Sequence, residues 1–160
     1  MKIKKILISI YVLVFAQGIV AQISFTESSS SQNINVSHGT GAFVGGISFF
    51  DFNNDGWDDL TFASSNGNPV YFFQNNSGTL SMISLNLVDN LNDTRQVNWV
   101  DIDNDGDNDL FVVSNNASNR LYLNDGNMNF TDITVTSGIS TATMQSWGGS
   151  WGDYNNDGYL

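Results

Sequence analysis

One loop pattern, Asp-x-Asp/Asn-x-Asp-Gly-x-x-Asp, recurs along this chain at a spacing of about fifty residues, and nothing else restricts the fold as much. The copies are Phe49-Phe50-Asp51-Phe52-Asn53-Asn54-Asp55-Gly56, Trp99-Val100-Asp101-Ile102-Asp103-Asn104-Asp105-Gly106 and Trp151-Gly152-Asp153-Tyr154-Asn155-Asn156-Asp157-Gly158. The match between the first two copies runs on without a gap. Leu60-Thr61-Phe62-Ala63 aligns with Leu110-Phe111-Val112-Val113, Val70-Tyr71-Phe72-Phe73 with Arg120-Leu121-Tyr122-Leu123, and Leu80 to Ile83 with Phe130 to Ile133. Each unit therefore holds four short apolar or β-branched runs separated by Gly, Asn, Asp and Ser clusters, which read as strands and turns. No window of the mature chain keeps a helical apolar period.

Four strands per unit of this length is the sequence form of a propeller blade. The expected fold is all-β: partial β-propeller blades of four antiparallel strands, about two and a quarter of them, with cation-binding hairpin loops. The expected divisions are 1–21 as a leader, 22–40 as a terminal strand and polar loop, 41–90 and 91–140 as the first and second units, and 141–160 as the start of a third. The terminal strand rests on an echo, since Phe25-Thr26-Glu27 resembles Phe130-Thr131-Asp132 from the end of the second unit. Because the third loop stops at Leu160, one position short of its pattern, the sequence reads as a fragment of a longer protein.

The loops carry the chemistry. Oxygens at positions one, three, five and nine, with the backbone carbonyl of position seven, can converge on one cation, and glycine at position six permits the sharp turn between them. The ligands expected are Asp51, Asn53, Asp55, Asp59 and the Trp57 carbonyl in the first loop, and Asp101, Asp103, Asp105, Asp109 and the Asp107 carbonyl in the second. The third offers Asp153, Asn155, Asp157 and the Tyr159 carbonyl but lacks position nine. Ca²⁺ accepts six to eight oxygens in flexible geometry, whereas Mg²⁺ demands a tighter octahedron. An all-oxygen set also disfavours zinc and copper. Up to three structural Ca²⁺ sites are expected, the third incomplete, with affinity following carboxylate count: loop two, then loop one, then loop three. An EF-hand begins with the same signature but needs a glutamate at position twelve, where Phe62 and Val112 stand, and flanking helices.

Charge placement agrees. Of the 16 acidic side chains, only Glu27, Asp89, Asp93, Asp125 and Asp132 fall outside the three loop windows, so the acidity is clustered rather than spread as a solubilising surface. A formal net charge of −11 argues against nucleic acid and anionic membranes as partners. With no cysteine there are no disulfides, thiolate sites or thiol nucleophiles, and bound metal is an alternative source of rigidity.

Lys2, Lys4 and Lys5 precede an apolar stretch from Ile6 to Val20, and Gly18 and Ala21 supply small residues before polar Gln22. This is the layout of a secretory signal peptide cleaved after Ala21, and the run is too short for a spanning helix. The mature chain is thus expected outside the cell with no membrane span. Phe49, Trp99 and Trp151 recur two positions before each loop and are expected to pack between neighbouring blades.

These loops, together with Asn119-Arg120-Leu121-Tyr122 and Phe130-Thr131-Asp132-Ile133-Thr134, resemble the FG-GAP/VCBS repeat family, whose fold is the integrin α-type β-propeller. The resemblance spans about Gly41 to Leu160 and implies that the loop positions named above bind Ca²⁺. The second half of the first unit departs from the family pattern, with Pro69-Val70-Tyr71 and Ser81-Met82.

Two functions follow as expectations. One is a secreted, calcium-stabilised adhesion or ligand-binding module for an extracellular protein or polysaccharide. The other is the propeller part of a secreted polysaccharide-acting enzyme with its catalytic residues elsewhere. Catalysis by these residues is not expected: His38 is the one histidine, Glu27 the one glutamate, and no nucleophile–base arrangement is legible.

Overall fold

The computed structural model describes residues 24–36, 45–88 and 90–160. The leader and His38 lie outside the described residues. The described residues hold no helix and form two antiparallel sheets. The first contains β1 (Ile47–Phe50), β2 (Asp59–Phe62), β3 (Tyr71–Asn76) and β4 (Thr79–Ile83), in that spatial order. The second contains β5 (Asp93–Val100), β6 (Asp109–Ala117), β7 (Arg120–Asn124) and β8 (Phe130–Asp132), with β9 (Met144–Gln145) added beside the far end of β6. Both are meanders of consecutive strands, the blade arrangement expected from the four runs per unit. Alternation along β2, buried at Asp59 and Thr61 and half-buried at Leu60 and Phe62, follows from the period of two in an extended strand.

The two units are not in step throughout. Leu60 pairs with Phe73, but its counterpart Leu110 pairs with Tyr122 rather than Leu123. The ungapped alignment is therefore out by one residue along the third strand. It is restored at the fourth, where Phe73 pairs with Met82 and Tyr122 with Asp132. Two turns account for this. The β2–β3 connection of the first unit carries an extra residue around Pro69, which cannot extend a ladder because it has no N–H. The β3–β4 turn is a tight Ser77-Gly78 pair, both with positive φ (54° and 94°), as a two-residue hairpin requires, whereas the second unit uses the longer Asp125–Asn129 turn.

The core lies between the sheets. Phe52, Ala63, Val70 and Phe72 of the first unit and Val97, Leu110, Val112 and Tyr122 of the second form one buried cluster. Trp99 seals it: its ring stacks on Phe52 (centroids 4.8 Å apart, 27° between planes), meets Phe72 edge-on at 5.9 Å, and donates Nε1–H to Thr61 Oγ1 at 2.9 Å. Trp151, one unit later, meets Phe111 of the second unit edge-on at 5.3 Å. Phe49, the first of the three recurring aromatics, is 64% exposed. Main-chain bonds also cross the gap, from Gly46 N–H to Arg95 O (2.8 Å) and from Thr94 N–H to Ser64 O (2.8 Å). A side chain at position 46 would put its Cβ 3.0 Å from the Arg95 oxygen, a tight contact that favours glycine at this approach.

One expectation is corrected. Residues 24–36 form no strand: Gln32 N–H and Ile34 N–H donate to Ser28 and Ser29 carbonyls in a local turn, and Phe25 is 95% exposed. The segment is fastened to the β3–β4 hairpin through Gln32, whose amide bonds Gly78 O and Leu80 N–H. Residues 146–160 likewise form no ladder, and the short β9 before them belongs to the second sheet. Arg95 lies over the ring of Trp147 at 5.5 Å, and the Gln96 amide bonds both N–H and C=O of Gly149, so the third unit is fastened to the second by side chains.

Candidate metal centre

The first loop joins β1 to β2 and the second β5 to β6, and all three loops are shaped by their own aspartates. In the first, Asp51 Oδ1 accepts the Asp55 N–H (3.0 Å) and Oδ2 the Gly56 N–H (2.8 Å). In the second, Asp101 accepts the Asp105 and Gly106 N–H groups at 3.2 and 3.1 Å, and in the third Asp153 accepts those of Asp157 and Gly158 at 3.2 and 2.7 Å. Position six turns through positive φ in all three: 91° at Gly56, 94° at Gly106 and 92° at Gly158. Position four is left-handed too, at Asn54 (57°), Asn104 (61°) and Asn156 (60°), and asparagine is among the few side chains that tolerate it. Position five closes the turn, as Asp55, Asp105 and Asp157 accept the N–H of Trp57, Asp107 and Tyr159.

Position nine is set apart by burial. Asp59 and Asp109 open β2 and β6 and are almost fully buried. Asp59 accepts the Phe52 N–H at 3.1 Å and the Asn75 N–H at 2.7 Å; Asp109 accepts those of Ile102 and Asn124 at 2.9 and 2.8 Å. Each ties its loop to the third strand of the unit, β3 through Asn75 and β7 through Asn124. Burial raises both carboxyls above the ordinary range despite these donors. Asp107 is pushed up to about 6, by burial first and then by repulsion from Asp105, Asp109, Asp103 and Asp101. Asp153 and Asp157 lie low, held there chiefly by the Gly158 and Tyr159 N–H groups.

In the second loop, carboxylate oxygens of Asp101, Asp103 and Asp109 all lie within 4.8 Å of one another, the spacing of ligands around a single cation. In the first loop position three is Asn53, whose Nδ2 donates to Asp55 Oδ2 at 3.0 Å, and Asn155 does the same to Asp157 at 2.9 Å. The donor set suits a hard cation, since the trio is all carboxylate and the chain has no cysteine. Strands rather than helices flank the loops, which removes the EF-hand.

A family model for FG-GAP-like repeats matches residues 51–112 and again 101–160, each match beginning on the first aspartate of a loop. The chain belongs to the FG-GAP-like repeat family. A search of curated proteins gave no match. Within the FG-GAP-like pattern, the residues that sequence reasoning passed over are asparagines. Asn54 Nδ2 donates to Gly106 O (3.1 Å) and Asn104 Nδ2 to Gly158 O (2.6 Å), joining each loop to the next. Their recurrence at position four was visible in the repeat, but only the packing of one unit on the next shows what they reach.

Proposed function

We propose that this protein is a secreted calcium-binding module of β-propeller type, in which Ca²⁺ held by the loops stabilises blades that present a surface to an extracellular protein or polysaccharide. The observation that carries the calcium reading is the Asp101, Asp103 and Asp109 trio, three carboxylates brought within 4.8 Å of one another. Like charges this close repel, and a divalent cation among them turns a destabilising element into a staple. Asp51, Asn53, Asp55 and Asp59, with the Trp57 carbonyl, would hold a second ion. Asp101, Asp103, Asp105, Asp109 and the Asp107 carbonyl would complete the first. Asp153, Asn155, Asp157 and the Tyr159 carbonyl would make a weaker third site. The extracellular assignment draws on the leader-like residues 1–21 and on the family. Among the described residues no helix is long and apolar enough to cross a membrane.

The binding function proposed is non-catalytic; the two most buried loop carboxylates, Asp59 and Asp109, serve main-chain hydrogen bonds. Calorimetric titration of the whole chain with Ca²⁺ and with Mg²⁺ tests the reading. Saturable Ca²⁺ binding that Mg²⁺ does not reproduce supports it, and heats no larger than dilution with either ion would sink it.

A further inference from the structure

Each loop touches the next through an uninterrupted run of hydrogen bonds. Asn54 Nδ2 donates to the carbonyl of Gly106 at 3.1 Å, and the N–H of that same peptide unit, carried by Asp107, donates to Asp105 Oδ1 at 3.0 Å. The step repeats one unit on. Asn104 Nδ2 donates to Gly158 O at 2.6 Å, and the Tyr159 N–H of that peptide donates to Asp157 Oδ1 at 2.9 Å. A peptide whose oxygen accepts a bond is polarised and becomes the better donor at its nitrogen. A second thread joins the first two loops, since Asn108 Nδ2 reaches Asn54 Oδ1 at 3.2 Å and the Asp51 carbonyl at 3.4 Å. Asn108 immediately precedes Asp109, and Asn54 lies between Asn53 and Asp55, so both threads begin and end beside expected ligands.

We propose that this asparagine relay couples the loops, so that a cation in one raises the affinity of the next. The inference rests on the calcium reading above. A cation in the first loop fixes positions three and five and therefore the left-handed Asn54 between them. A fixed Asn54 holds the Gly106–Asp107 peptide and, through it, Asp105. The second loop then has less conformational entropy to lose when its own cation arrives, which is positive cooperativity without a change of fold. By linkage the effect runs equally in reverse. The bonds lie at the exposed rim, so the coupling belongs at the low end of the usual range, about fivefold in affinity.

The test is calcium titration of the whole chain by calorimetry, for the wild type, Asn54→Gly, Asp101→Asn and the double variant. Glycine accepts positive φ freely, so Asn54→Gly removes the relay and leaves the turn. The expected result is that Asn54→Gly lowers the Hill coefficient below its wild-type value and raises the midpoint about fivefold. With the second site disabled by Asp101→Asn, adding Asn54→Gly should change the first site's affinity no further. If Asn54→Gly does not fold, Asn108→Ala severs the second thread and should lower the Hill coefficient in the same direction. A Hill coefficient and a midpoint that neither variant moves from the wild-type values overturn the relay and leave the calcium reading standing. Absence of Ca²⁺ binding in the wild type overturns both.

Discussion

Replacing Asp109 by alanine separates the two roles of position nine. Without any cation, Asp109 still accepts the N–H of Ile102 and of Asn124, in a setting where water does not substitute. Hydrogen bonds to a charged acceptor contribute about 1.5–3 kcal/mol each, and orphaned buried donors cost a similar amount. Against this, alanine relieves a carboxylate that burial and its acidic neighbours already disfavour, as its raised pKa records. The net expected loss is about 3 kcal/mol in chelator, or roughly 6–12 °C in melting temperature for a chain of this size. Asp103→Ala is the matched control. Asp103 is exposed and belongs to the same trio, so its removal should leave stability in chelator unchanged or slightly raised, while weakening calcium binding. Denaturant unfolding with EDTA, followed by tryptophan fluorescence, reads both. If Asp109→Ala falls within about 0.5 kcal/mol of wild type in chelator, position nine is a ligand only and the structural role argued from its hydrogen bonds is wrong.

Three further outcomes are expected. Trp99→Ala should cost about 3–5 kcal/mol and Trp99→Phe about 1–2, because phenylalanine keeps the stack on Phe52 but leaves Thr61 Oγ1 without its donor; equal costs for the two would mean that the stack contributes nothing, and a Trp99→Phe variant as stable as wild type would mean that the hydrogen bond contributes nothing. In chelator, stability should fall as pH rises from about 4 through about 6. Asp59, Asp107 and Asp109 have folded pKa values above their unfolded ones, so in that window the folded state binds more protons; with saturating Ca²⁺ the slope should reverse, and thermal melts at pH 5 and pH 7 read both signs. In a calorimetric titration with single-loop knockouts, loop two should fill before loop one and loop one before loop three, following carboxylate count, and loop one filling first would refute that ordering.

The repeat made the fold legible because a strand, a turn and a loop each leave a local trace. Short apolar or β-branched runs marked the strands, and the Asp-Gly pairs marked the loops. What the sequence did not reveal depended on contacts between distant segments. The one-residue slip along β3 is set by how Leu60 and Leu110 find their partners, and an ungapped alignment has no term for it. Phe25-Thr26-Glu27 has strand composition, yet a strand needs a ladder partner, and local Ser carbonyls satisfy the following segment first. The loop aspartates were legible by type and spacing. The burial of Asp59 and Asp109, and the reach of Asn54 and Asn104 into the next loop, arise only when one unit packs on another.

The most direct test of the central claim is the thermal melt of the whole chain in EDTA, in Mg²⁺ and in Ca²⁺. Calcium at a hundred times its dissociation constant adds about 2.7 kcal/mol per site, and hence a rise of roughly 5–10 °C. Ca²⁺ should give that rise and Mg²⁺ little of it, and the Asp101→Ala, Asp105→Ala double variant should lose a large part of it. A cooperatively folded chain whose midpoint is the same in all three solutions would contradict it, and the loops would then be acidic turns and nothing more.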